Sequence, residues 1–202
     1  MAYLFLHGLG QTAKDWDRVL HELHLAEPIL CPELSAFLTD NTYMALYEHV
    51  CAYSKTHTDL HICGLSLGAV LALQYALEHE VRSLILIAPQ YKMPKQLLKI
   101  QNIVFRFLPK HMFSQMGLTR EQMIALTRSM ESIDWTAQLS KLRCPVYILC
   151  GEKDAVNRKS AKQMANSIPQ AHFDEISGAG HAVNIDAPRV LAERIQQFYE
   201  AL

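Results

Sequence analysis

The sequence predicts a three-layer α/β/α domain built on a mostly or wholly parallel sheet of about six strands. Three observations carry this prediction. Short runs rich in Leu, Ile, Val, Phe and Cys alternate along the chain with stretches of helical character. The runs show little two-residue alternation, as expected of strands covered on both faces. Strand–helix alternation also makes successive strands parallel, joined by right-handed crossovers. The 202 residues suit one domain or at most two small ones. With half its residues hydrophobic and 19% charged, the composition is that of a folded chain and not a disordered one.

The strands are expected at residues 2–6, 28–31, 60–63, 83–87, 145–150 and 171–176, and the helices near 15–24, 43–55, 66–79, 159–167 and 188–199. Residues 1–6 are apolar but lack a basic n-region and a cleavage signature, so they read as a strand and not as a signal peptide. The stretch 89–144 breaks the rhythm, being helical in character with no clear strand. A connection that long reads as a functional insertion. The chain therefore divides into a core of residues 1–88 and 136–202 and a helical cap of residues 89–135, inserted after the fourth strand. The alternative is an ordinary pair of core helices.

Several function classes fall away on composition. The net charge is −1, from 19 basic and 20 acidic residues, so no global field draws the chain to nucleic acid. No apolar run approaches the roughly 18 residues that span a bilayer, which argues against stable membrane insertion. Cys31, Cys63, Cys144 and Cys150 lie in or beside apolar runs without a Cys-x-x-Cys pair, so free thiols in a reducing cytoplasm are expected. His21 and His24 have the spacing of a metal pair, but no cysteine or carboxylate cluster joins them, and no metal is expected.

In parallel sheets the site lies at the carboxyl ends of the strands. Four such ends carry chemistry: His7-Gly8-Leu9-Gly10, Gly64-Leu65-Ser66-Leu67-Gly68, Gly151-Glu152-Lys153-Asp154 and Gly178-Ala179-Gly180-His181. Gly-x-Ser-x-Gly between a strand and a helix makes a tight turn that strains the serine backbone and lifts its hydroxyl clear. Ser66 would stand at a helix N-terminus, where the Leu67 N–H can stabilise an oxyanion. A serine hydroxyl needs a base. Among the ten histidines, His181 follows the last strand at the same sheet edge as Ser66. The base needs an orienting carboxylate, and Asp154 follows the penultimate strand. Asp186 is nearer to His181 in sequence, but Asp186-Ala187-Pro188 reads as a helix N-cap with proline in the first turn. The turn after the first strand can aim a second oxyanion donor, the Leu9 N–H, into the same space.

These four segments, followed by Asp186, Pro188 and an amphipathic terminal helix, make the sequence similar to the α/β-hydrolase family, of the serine esterase type. The match runs over nearly the whole chain in family order. The resemblance implies a Ser66–Asp154–His181 triad, oxyanion donors at Leu9 and Leu67, and a helical cap over the pocket. It implies no cofactor and a small-molecule, ester-like substrate. Phe105, Phe107 and Trp135 are the substrate-binding candidates. Family members usually carry one or two antiparallel strands before the His-Gly strand, where this chain begins. A reduced, all-parallel sheet is therefore expected, and its edge calls for a homodimer or a covering element.

Two readings compete. Gly8-Leu9-Gly10-Gln11-Thr12-Ala13 fits the Gly-x-Gly-x-x-Gly/Ala dinucleotide fingerprint, with Glu33 about 20 residues on. It explains neither the Ser66 turn nor His181. A catalytically silent binding protein on this fold is the second. Within the enzyme class the same triad serves ester, thioester, lactone and C–C bond cleavage, acyl transfer and lyase chemistry, with ester hydrolysis the default.

The insertion has a charge signature. Residues 81–120 hold seven basic residues (Arg82, Lys92, Lys95, Lys99, Arg106, Lys110 and Arg120) and no Asp or Glu, so a +7 segment sits on a −8 body. Among them, Leu97, Leu98, Ile100, Ile103, Val104, Phe105, Phe107 and Leu108 form an apolar mass too broad for a narrow helical stripe. A lid over a greasy pocket, attracting acyl groups, anionic substrates or an anionic surface, is expected.

Overall fold

Strand phase sets the architecture. In β1 (Ala2–Leu6), Leu4 and Leu6 enter one apolar cluster while Tyr3 and Phe5 enter another on the opposite face. The computed structural model describes residues 1–38, 40–114 and 117–202, without the side chains of Leu97 and Lys110, two insertion residues that therefore lie outside the description. After β1 come a 3-10 turn (Ala13–Trp16), a one-turn α1 (Asp17–Leu20), β2 (Ile29–Leu30) and a second 3-10 turn (Leu34–Phe37). Next are α2 (Tyr43–Ser54), β3 (Leu60–Leu65), α3 (Leu67–Glu78) and β4 (Ser83–Ile87). The insertion holds α4 (Lys95–Phe107), α5 (Lys110–Ser114) and α6 (Arg120–Ser129). The chain closes with a 3-10 turn (Leu139–Lys141), β5 (Val146–Gly151), α7 (Ala155–Ser167), β6 (Ala171–Ile176), α8 (Val183–Asp186) and α9 (Pro188–Glu200).

The six strands form one sheet in the order β2-β1-β3-β4-β5-β6, and every pairing is parallel. Helices α2, α3 and α7 cover one face, where Leu46, Leu71 and Met164 pack on Leu4, Ile62 and Ile148. Helices α1 and α9 cover the other, where Val19, Leu191 and Ile195 pack on Phe5, Ile85 and Leu149. Each of these fully buried apolar side chains contributes about 1.5–3 kcal/mol. Both outer strands are blunted. β2 pairs with β1 over only two residues, between Pro28 and Pro32, and not over the four of 28–31. β6 carries His172, Asp174 and Glu175 along its edge.

Two helices differ from expectation. The amphipathic stretch at 15–24 is a 3-10 turn running into the single turn of α1. The stretch at 159–167 begins four residues earlier, because the Asp154 side chain caps α7 by accepting from the Asn157 N–H at 3.2 Å.

A two-stranded neck closes the insertion. Met93 N–H donates to Ile133 O at 3.0 Å and Trp135 N–H to Tyr91 O at 2.9 Å, while Lys92 Nζ meets Asp134 Oδ2 at 2.8 Å. Beyond the neck the apolar mass of α4 divides. Leu98 and Phe105 join the core cluster, whereas Ile100, Ile103, Val104 and Phe107 are exposed. Among the described residues, no helix is long and apolar enough to cross a membrane.

Candidate active site

Ser66 joins β3 to α3 with φ 53° and ψ −112°, in the left-handed half of backbone space. Such a non-glycine residue stores on the order of 1–3 kcal/mol of strain. The surroundings hold it there. Ser66 N–H donates to Ile87 O at 2.9 Å, and the turn closes so tightly that a Cβ on Gly64 would lie 2.2 Å from Gly68 O. A Cβ on Gly68 would lie 2.1 Å from Leu6 O, so the start of α3 rests directly on the end of β1. Gly68→Ala must push a helix off a central strand, and about 3 kcal/mol or more of stability should be lost, read from the urea midpoint. At Gly8 a Cβ meets side-chain atoms and no backbone, the end of Leu65 at 3.0 Å, Gln11 Oε1 at 3.3 Å and Ser66 Cβ at 3.4 Å, and Gly8→Ala should cost less. Equal midpoints for the two variants would contradict this account of the turn.

Three strand ends converge on the Ser66 hydroxyl. His181 Nε2 lies 2.9 Å from Ser66 Oγ, and His181 Nδ1 lies 2.6 Å from Asp154 Oδ2. The network assigns the proton to Nδ1, which donates to Asp154, leaving Nε2 to accept from the serine. Close backbone contact brings the two turns together. A Cβ on Gly151 would lie 2.0 Å from Gly180 O, and Lys153 N–H donates to Ala179 O at 2.9 Å. Asp186 does not cap α9 with its side chain, contrary to expectation. It ends α8, and its Oδ2 accepts from Gly180 N–H at 2.7 Å, steadying the turn that carries His181.

The Asp154 side chain is 8% exposed and that of His181 48%. Burial pushes the Asp154 carboxyl up, but hydrogen bonds from His181 and Asn157 outweigh it and hold the pKa below its ordinary value. Sequence reasoning missed Asn157. Its Nδ2 donates to both Asp154 oxygens at 2.9 and 2.8 Å, and its Oδ1 accepts from Gln90 Nε2 at 2.7 Å. The signal was present in the Asp-x-x-Asn spacing of a helix cap. Burial, with Asp154 and Glu175 nearby, pushes the Cys150 thiol up to about 12, so it packs and does not compete as a nucleophile.

The turn after β1 is held from two sides. Gly8 N–H donates to Gln11 Oε1 at 3.0 Å, and Gln11 Nε2 donates to the fully buried Asn184 at 2.9 Å. Leu9 and Leu67 line the same cavity as Ser66. Among the described residues, no acceptor meets the N–H of Leu9 or Leu67. The dinucleotide reading finds no support here. Glu33 Oε2 accepts from Ala13 N–H at 3.0 Å, placing a carboxylate where a pyrophosphate would need that amide, and no long helix follows the glycines.

The cavity over Ser66 measures about 520 Å³ and is walled by α3 below and by α4, α5 and α6 above. Met93, Met112, Met123 and Met130 line it with Leu98 and Phe105. Among the described residues its only ionisable lining groups are Asp154 and His181, so Lys95 and Lys99, both exposed on α4, do not meet its contents. Phe105 faces the cavity edge-on to Phe113, ring centroids 5.8 Å apart. The other two substrate candidates are corrected. Phe107 is 83% exposed on the outer face of α4. Trp135 stands at the neck against Tyr43, ring centroids 6.5 Å apart, and does not line the cavity.

The family model for the alpha/beta hydrolase family matches residues 3–194. This chain belongs to that family. Solved structures of similar fold include NosK from Streptomyces actuosus, with a TM-score of 0.85 and 19% identity over 99% of this hydrolase and 97% of that chain. An esterase from Exiguobacterium antarcticum has a TM-score of 0.84 and 16% identity, over 99% of this hydrolase and 92% of that chain. The enol-lactonase from Burkholderia xenovorans LB400 follows at 0.82 and 14%, over 98% and 91%. No curated protein sequence matches the hydrolase significantly.

Proposed function

We propose that this hydrolase cleaves uncharged carboxylic esters of small or medium chain length through an acyl-enzyme on Ser66. One observation carries the reading: the Ser66–His181–Asp154 line, with spacings of 2.9 and 2.6 Å, opens into an apolar cavity. Ser66 Oγ attacks the ester carbonyl while His181 Nε2 takes its proton. Asp154 keeps the imidazole in the accepting tautomer and stabilises its charged form. The amides of Leu9 and Leu67 receive the developing oxyanion at the positive end of α3. The histidine returns the proton to the leaving alkoxide, and water then releases the acid by the same route.

Residues 89–135 act as a cap in this reading, and their helices shape the acyl site. A 520 Å³ space lies within the range of small-molecule pockets. Its four methionines offer unbranched, adaptable thioethers, suited to an acyl chain and not to one rigid shape. Kinetics on p-nitrophenyl esters of increasing chain length test the assignment. Phe105→Ala should shift kcat/KM toward longer chains by roughly 10-fold or more, since each methylene in an apolar pocket is worth about that. Phe107→Ala, on the outer face, should leave the chain-length profile in place. A profile unmoved by Phe105→Ala, or no turnover of any ester, would overturn the reading.

A further inference from the structure

The outer face of α4 has the chemistry of the wrong solvent. Ile100, Ile103, Val104 and Phe107 are 60%, 54%, 48% and 83% exposed. Their spacing of three, one and three residues aligns them as one stripe along the helix. The inner face of the same helix is already turned into the molecule, where Leu98 and Phe105 pack inward and Asn102 accepts from Thr127 Oγ1. The stripe is therefore additional to what the fold needs.

Charge runs beside it. Of the seven basic residues in 81–120, Arg82 pairs with Asp59, Lys92 with Asp134 and Arg120 with Glu121. Lys95, Lys99 and Arg106, all on α4, form no ion pair among the described residues. On a helical projection these three fall in one row bordering the stripe. Lys99 and Arg106 join Arg128 of α6 around a shallow notch floored by Asn102 and Ile103, in which Glu131 is the single acid.

We propose that this face of α4 docks reversibly on an anionic lipid surface, its stripe set among the acyl chains and its basic row against the phosphates. An amphipathic helix with a basic border lies in the interface plane without spanning it. Charge complementarity selects the occupant. A second copy related by a twofold axis would bring Lys99 and Arg106 toward their own counterparts, in a segment without an acid, and a head-to-tail contact with the acidic body would not close. An anionic leaflet satisfies both features at once. The inference does not depend on the chemistry assigned to Ser66.

Co-sedimentation of the full chain with vesicles tests it. Vesicles of equimolar phosphatidylcholine and phosphatidylglycerol should bind the protein, phosphatidylcholine alone should not, and added salt should release it. The double substitution Lys99→Gln and Arg106→Gln should weaken partitioning roughly 30-fold, and Phe107→Ser roughly 10-fold. All three positions are exposed, so these variants should melt like the wild type. In Phe107→Trp, anionic vesicles should shift the indole emission to the blue. Equal binding to both vesicle types, or binding unchanged by Phe107→Ser, would overturn the proposal. So would a dimer that Phe107→Ser dissociates, which would give the stripe to a second copy.

Discussion

Alanine at Ser66 should reduce ester turnover by on the order of 10⁶, the scale on which serine triads fail as a unit. The hydroxyl is the one group within 2.9 Å of the histidine that can become the acyl carrier. Removing it leaves the strained turn, the glycine contacts and the cavity as they were, so the thermal transition should hardly move. A fluorophosphonate probe should add one label to the wild type and none to Ser66→Ala. His181→Ala should cost about as much, and the double variant little more than either single one, because each change disables the same proton transfer. An undiminished label on Ser66→Ala, or near-normal turnover by folded His181→Ala, would end the assignment.

Replacing Asp154 by asparagine should lower turnover by about 10⁴, with geometry nearly preserved. The amide cannot accept from Nδ1–H as a carboxylate does, and it favours the tautomer with the proton on Nε2, which cannot take one from serine. Asp186→Asn serves as the contrast. Its side-chain oxygen can still accept from Gly180 N–H, so activity should fall little. A mild Asp154→Asn beside a severe Asp186→Asn would move the role to Asp186. The same variant reports through pH. The Asp154 pKa is depressed in the fold, so its ionisation adds stability that is complete above the unfolded value of about 3.9. That stability disappears as the pH falls through the lower folded value. Wild type should therefore gain on Asp154→Asn as the pH rises through the acid range, with a constant difference above about pH 5.

Local chemistry made part of this site legible. Gly64, Ser66 and Gly68 stand out because a strand-to-helix turn admits no Cβ at the glycine positions. Asp154 and His181 stand out because the strand runs before them are unmistakably apolar. Asn157 and Gln90 were missed because each acts through another side chain: the Asp-x-x-Asn spacing marks a helix cap without marking the carboxylate as functional, and Gln90 reaches Asp154 only through Asn157. The outer residues of α4 were misjudged for a different reason. Ile100, Ile103, Val104 and Phe107 share one helical face, and so do Leu98 and Phe105, but periodicity does not say which of two apolar faces turns inward. Only the position of α6 against Asn102 decides it. Trp135 was misplaced because a large aromatic beside an insertion reads equally well as pocket wall or hinge packing. β2 came out short because Pro28 and Pro32 bracket it, and proline supplies no N–H to a ladder.

The neck at Tyr91–Trp135 has a consequence for how this molecule diversifies. Its two backbone hydrogen bonds and the Lys92–Asp134 pair bring the ends of the inserted segment together, whatever chain runs between them. Closing a longer loop adds only about 0.6 kcal/mol for each doubling of its length. The segment beyond the neck thus tolerates changes of length, apart from the residues it lends to the core, such as Leu98 and Leu126. Changes of length between α4 and α6 therefore cost little in closure entropy, while Ser66, Asp154 and His181 stand at strand ends outside the segment. Substitutions among the lining residues of this segment can thus reshape the cavity while the reacting atoms stay on other elements.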